Sequence, residues 1–181
     1  YEQNLAARQE YAELSKMAGV KNRAGAGLLA DGKKTDEDSS TKNSEKKRRK
    51  KQRRSSESKN KNCTDEIRES FGISWENLRK INSQTVAWIT VPGADISYPV
   101  VQAADDEYYL KHNFRGEEDL FGCIFLEHDI KKNFTDSHSI LYGHNIEGNM
   151  MFANLNRYEQ PEFLKKCPEI EITTPKRKFL Y

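Results

Sequence analysis

The chain has 181 residues, 30 Lys+Arg against 28 Asp+Glu and a formal net charge of +2, enough for one ordinary domain with appendages. The charges are unevenly spread: Tyr1 to Cys63 carries 17 Lys+Arg against 9 Asp+Glu, a balance of +8, and Thr64 to Tyr181 carries 13 against 19, a balance of −6. No run of about 18 or more apolar residues occurs, which excludes a membrane-spanning helix from these residues.

In chain order, Leu5, Arg8/Gln9, Ala12, Leu14 and Met17 fit a weakly amphipathic helix that Gly19 ends. We read residues 1–21 as a membrane-proximal spacer helix. Residues 22–64 form a basic low-complexity linker. From Asp31 to Asn62 there is no aromatic and no large aliphatic residue, so burial cannot offset the entropy of ordering, and disorder is expected. Lys42 to Arg54 holds nine basic residues in thirteen. A plain solvated linker is the preferred reading of this run, ahead of contact with anionic cell-surface polymers or lipids. Nucleic acid is not the expected partner, because no aromatic ring is present to stack on bases.

Residues 65–181 hold nearly all the aromatic and β-branched residues and are the part able to bury a core. Between Asp65 and Asn82, Ile67, Phe71, Trp75, Leu78 and Ile81 recur at helical spacing, with Gly72 dividing the helix and Ser74 placed to cap its second piece. The period then changes to two. Thr85 to Val91 and Ile96 to Val101 read as strands around the Pro92-Gly93-Ala94-Asp95 turn. Asp105 to Leu110 reads as a helical turn, Cys123 to Leu126 and Ser139 to Tyr142 as strands, and Pro161 to Lys166 as another helical turn. Ile170 to Thr173 and Phe179 to Tyr181 read as the last strands, and Tyr181 falls inside an apolar run with no turn signal after it. Many short strands with helical inserts predict a mainly β fold, a closed or nearly closed barrel.

The segment Ser139-Ile-Leu-Tyr-Gly-His-Asn145 places His144 where an apolar strand breaks into a Gly/Asn loop. An imidazole there can exchange protons at neutral pH with a thiol or hydroxyl nucleophile, although a loop histidine also reads as a solvated surface residue. His112, His128 and His138 read as surface or supporting groups. Cys63, Cys123 and Cys167 form no CxxC pair and have no His at ligand spacing, so neither a metal site nor a cofactor is expected. One disulfide with a free thiol and three unpaired thiols both fit the odd count. In Gly122-Cys-Ile-Phe-Leu126 alternation puts Cys123 and Phe125 on one face of a buried strand, which predicts an inert thiol rather than a nucleophile.

Taken together, Leu141-Tyr-Gly-His144-Asn, Met151-Phe152, the run Thr85 to Gln102, Tyr108 to Gly116, Gly122 to Leu126 and the segment Pro161 to Pro175 resemble the class B sortases, in that family's order, over about Trp75 to Tyr181. The resemblance implies a sortase-like β-barrel, incomplete at the C-terminus, preceded by N-terminal helices. It also implies a cysteine transpeptidase that cleaves a sorting motif in secreted proteins and passes the acyl group to a peptidoglycan-precursor or pilin amine. His144 matches the family's histidine; its cysteine and arginine would lie beyond Tyr181, so these residues alone are expected to be inactive. Leu110, Asp106 and Tyr109 align with one wall of the family's substrate groove, although an aromatic and a leucine there equally suit anchoring the turn to the barrel, and Asn145 is a further groove candidate that also suits a turn. The family's N-terminal anchor implies a place on the extracytoplasmic face of a membrane, with the anchor outside these residues. The rival reading is a non-catalytic barrel used for adhesion or assembly and tethered by the basic segment.

Overall fold

The computed structural model describes residues 2–20, 72–146 and 148–181. The expected basic linker, Cys63, and the first part of the helix expected from Asp65, with Ile67 and Phe71, lie outside the described residues.

The sheet grows from its most β-prone stretch. Strand β1 (Thr85–Val91) and strand β2 (Ile96–Val101) occupy the expected ranges and pair antiparallel, with Trp88 opposite Pro99. Their link turns back tightly because Gly93 and Asp95 adopt φ of +73° and +55°. Strand β3 (Ile124–Leu126) lies parallel to β2, so residues 102–123 must cross over between them, and that crossover carries part of the site. Strand β4 (Leu141–Tyr142) follows antiparallel to β3. Strands β5 (Asn145–Ile146) and β6 (Met150–Met151) form a separate two-stranded ladder. Strands β7 (Glu171–Thr173) and β8 (Lys178–Leu180) extend the main sheet beyond β1. The resulting order is β4-β3-β2-β1-β7-β8, a mainly β fold whose six-stranded sheet curls as a half-barrel.

Several strands are shorter than their apolar runs. Cys123 lies just ahead of β3, and Ser139 and Ile140 lie ahead of β4, although the Ile140 carbonyl still accepts from Glu127 N at 3.0 Å. As expected of a buried strand, all four side chains from Cys123 to Leu126 are buried, on both faces. Such two-sided burial suits a continuous apolar run. Trp88, Phe125 and Leu126 are among the most fully buried side chains, each worth about 1.5–3 kcal/mol relative to exposure. The indole N–H of Trp88 is satisfied by Ser97 Oγ at 3.0 Å.

Helix α1 (Glu2–Met17) ends before Gly19, which takes φ of +76°. Its buried face is Ala7, Tyr11, Leu14 and Ala18, whereas Leu5 and Met17 of the expected stripe are about half exposed. The helix packs on the sheet. The Tyr11 ring meets Tyr98 edge-on at 5.0 Å, and its hydroxyl donates to the Gly122 carbonyl at 2.9 Å. Helix α2 (Trp75–Ile81) starts after Ser74, whose side chain makes no capping hydrogen bond. The Ser74 backbone N–H instead donates to the Ala18 carbonyl at 2.8 Å, joining the end of α1 to the start of α2. A 3-10 helix (Ala153–Glu159) leads into helix α3 (Pro161–Lys166), and Tyr158 Oη donates to the Cys167 carbonyl at 3.0 Å. Of the two readings of the cysteines, the structure takes the one with a bridge: Cys167 is disulfide-bonded, and Cys123 is a buried free thiol. No helix among the described residues is long and apolar enough to cross a membrane.

Candidate active site

His144 sits between β4 and β5, half-buried, and two glycines bring its surroundings together. At Gly143 a Cβ would lie 2.3 Å from Ile124 Cδ1 and 2.9 Å from the Phe152 ring, so only glycine lets the chain pass this close to β3. At Gly122 a Cβ would lie 2.3 Å from the Tyr109 carbonyl oxygen, and φ is +57°. That approach lets Cys123 N donate to the Tyr109 carbonyl at 2.9 Å, which fixes the 3-10 turn Tyr108–Leu110 against the start of β3. The Leu110 carbonyl therefore reaches His144 Nε2 at 2.8 Å.

This contact sets the imidazole's chemistry. A carbonyl only accepts, so Nε2 carries the hydrogen and donates, which leaves the Nδ1 lone pair of the neutral ring as the proton acceptor. The His144 carbonyl accepts from Phe152 N at 2.9 Å, so backbone as well as side chain is held. On the far side of the loop, Arg8 of α1 donates to the Gly148 carbonyl.

The four expected groove residues are placed differently. Leu110 is brought to His144 and is half-buried. Tyr109 is buried: its hydroxyl donates to Gln84 Oε1 at 2.5 Å and accepts from Asn82 Nδ2 at 2.8 Å, which anchors the turn. Asp106 is engaged by His128, whose backbone N and Nδ1 lie 2.8 and 2.9 Å from its two carboxylate oxygens. The hydrogen bond to Asp106 raises the His128 pKa. Asn145 is exposed and pairs with Met151 in the β5–β6 ladder, so it is a strand residue rather than the turn residue it resembled. The turn proper is made by Gly148 and Asn149, with φ of +101° and +59°. Next to Tyr109, the Tyr108 ring stacks on His112 at 4.0 Å.

Cys123 does not supply a nucleophile. Burial pushes its thiol up to about 12, and the Tyr11 hydroxyl lies 3.6 Å from its sulfur.

No family model matches the chain. Sortase B of Listeria monocytogenes is 36% identical to it over 107 residues, 59% of this chain and 42% of the relative. The solved Staphylococcus aureus sortase B in complex with substrate is 33% identical with a TM-score of 0.56, over 59% of this chain and 49% of that one. A Streptococcus pyogenes class B sortase involved in pilus biogenesis is 35% identical with a TM-score of 0.57, over 60% of each. Over these residues the chain is similar to class B sortases in sequence and in fold. It spans less than half the length of the curated sortases it matches, at 42% and 43%. The sequence gives little sign of the parts that support the site. Asn82 and Gln84 hold Tyr109, His128 occupies Asp106, and Gly122 permits the close approach at Tyr109. Only Gly122 left a signal, a glycine interrupting an apolar run.

Proposed function

We propose that this protein provides the histidine side of a sortase-type cysteine transpeptidase site. The observation that carries the reading is the 2.8 Å contact from His144 Nε2 to the Leu110 carbonyl, which orients Nδ1 as the proton-exchanging atom. A neutral imidazole so held takes the thiol proton on Nδ1 and forms a thiolate–imidazolium pair. The thiolate attacks the scissile carbonyl, and the imidazolium gives the Nδ1 proton to the departing amine, leaving an acyl-enzyme for an incoming amine. The Leu110 bond persists throughout, because Nε2–H donates in both charge states.

The nucleophilic cysteine and its arginine are not matched by residues of this chain, so residues 1–181 alone are expected to show no transpeptidation. By family resemblance the substrate is a secreted protein with an Asn-Pro-X-Thr-type sorting motif, and the acceptor a peptidoglycan-precursor or pilin amine on the extracytoplasmic face of the membrane. Half-buried Leu110 and exposed Tyr142, which stacks on Phe125 at 5.3 Å, offer apolar surface flanking the histidine for such a peptide. In the protein with its nucleophile present, His144→Ala should lower cleavage of a sorting-motif peptide by about 10²–10⁴-fold. Activity within about tenfold of the parent would refute the assignment of His144 as acid/base.

A further inference from the structure

Away from His144, cationic side chains gather around one cavity of about 420 Å³ between the start of β1, the 132–135 loop and the β7–β8 turn. Arg79, Lys132, Lys176 and Arg177 line it, Ser83 and Thr135 add hydroxyls, and neither a carboxylate nor an aromatic ring is in its wall. Among the described residues none of these four cations forms an ion pair, whereas their chain neighbours do: Lys131 with Asp136 at 2.9 Å and Lys178 with Glu171 at 2.7 Å. The acids of this region are thus used beside the cavity and not in it.

The wall is held by backbone contacts that leave the charged groups to a ligand. Thr174 Oγ1 accepts from Arg177 N at 3.0 Å and donates to the Arg177 carbonyl at 2.9 Å, which fixes the turn carrying Lys176 and Arg177. Arg79 Nε donates to the Thr85 carbonyl at 3.2 Å, which sets its guanidinium at the mouth of β1 with its two terminal nitrogens uncommitted among the described residues.

We propose that this cavity binds a ligand bearing two or more phosphate charges, such as a pyrophosphate or a short phosphodiester chain. Four cations on three separate segments suit several negative charges, and a single carboxylate would leave most of them unmatched. The absence of aromatic rings removes the stacking platform that a nucleobase would use. The volume lies in the range of small-ligand sites, roughly 300–1,000 Å³. The site shares no lining residue with the His144 cluster and stands whether or not the transpeptidase reading does.

The test is calorimetric titration of residues 1–181 with inorganic pyrophosphate, comparing the parent with Lys176→Ala/Arg177→Ala. A control, Lys165→Ala/Lys166→Ala in α3, removes the same charge elsewhere. The cavity variant should weaken pyrophosphate binding about tenfold or more, and the control should leave it within about twofold. Lys132→Ala, on an exposed loop, provides a second variant if the turn variant fails to fold. Cosedimentation with vesicles containing cardiolipin, whose headgroup carries two phosphates, separates the sources. Association lost in the cavity variant assigns a lipid headgroup, and pyrophosphate binding without association assigns a soluble phosphate ligand. Equal weakening by the cavity and control substitutions, or no pyrophosphate binding at millimolar concentration, overturns the proposal.

Discussion

Glu10 makes the docking of α1 sensitive to pH. Its side chain is only 11% exposed, Arg115 Nε stands 3.7 Å from Oε1, and that oxygen accepts no hydrogen bond among the described residues. Burial is the largest influence and pushes the carboxyl up to about 7 from its ordinary 4.5; Arg115 pulls it down, and Asp119, Glu117 and Glu13 push it further up. The folded state therefore keeps the Glu10 proton to about pH 7, while the unfolded chain loses it near 4.5. Stability is fully present below 4.5, falls as pH rises through that interval, and stays lower above 7. The interval corresponds to at most about 3.4 kcal/mol at about 1.36 kcal/mol per pH unit, and screening by nearby water reduces the expectation to about 1–2 kcal/mol. Glu10→Gln removes the titration and keeps the shape. In urea unfolding the variant should match the parent near pH 4.5 and exceed it by about 1–2 kcal/mol at pH 8. Comparing the two proteins at each pH cancels other groups that titrate in this window, His128 among them. A difference between variant and parent that is the same at both pH values would refute the reasoning.

Two further outcomes test the site's supports. Gly143→Ala places a methyl 2.3 Å from Ile124 Cδ1, and Ile124 is fully buried, so the overpacking should cost about 1–3 kcal/mol in chemical denaturation. An unchanged midpoint would mean the loop yields and that glycine is not needed for the approach. Cys123, pushed from 9.0 to about 12, should carry roughly a thousandfold less thiolate at pH 8 than an ordinary cysteine. Native protein treated with a disulfide reagent should therefore release no thiol from Cys123 until denaturant is added. Native-state reaction at a rate near that of free cysteine would contradict the buried, inert assignment.

The parts of this molecule that were legible in the sequence are those whose signal is local. Thr85 to Val101 announced two strands because β-branched alternation and a Pro-Gly turn sit within a few residues of one another, and β1 and β2 take those ranges. The β5–β6 ladder was not foreseen, since two-residue strands fall below any period that can be counted. The buried face of α1 was misassigned for a different reason. Leu5 and Met17 outrank Ala7 and Ala18 in hydrophobicity, but the face is chosen by what the sheet offers, namely the Tyr98 ring and the Gly122 carbonyl for Tyr11.

The same distinction governs the site. His144 was visible because the strand-to-loop break and the ordered motifs lie in the chain itself. Its orienting partner was not, because the Leu110 carbonyl is a backbone group 34 residues away that carries no side-chain signature. Gly143 and Gly122 are where the two kinds of information meet. Each reads as punctuation in the sequence, yet each is needed for a close approach: Gly143 to Ile124 and Phe152, Gly122 to Tyr109 and Leu110. Placing the imidazole thus depends on two missing Cβ atoms as much as on the histidine. A substitution at Gly122 should accordingly act on His144 through the position of the Leu110 carbonyl, without touching the ring.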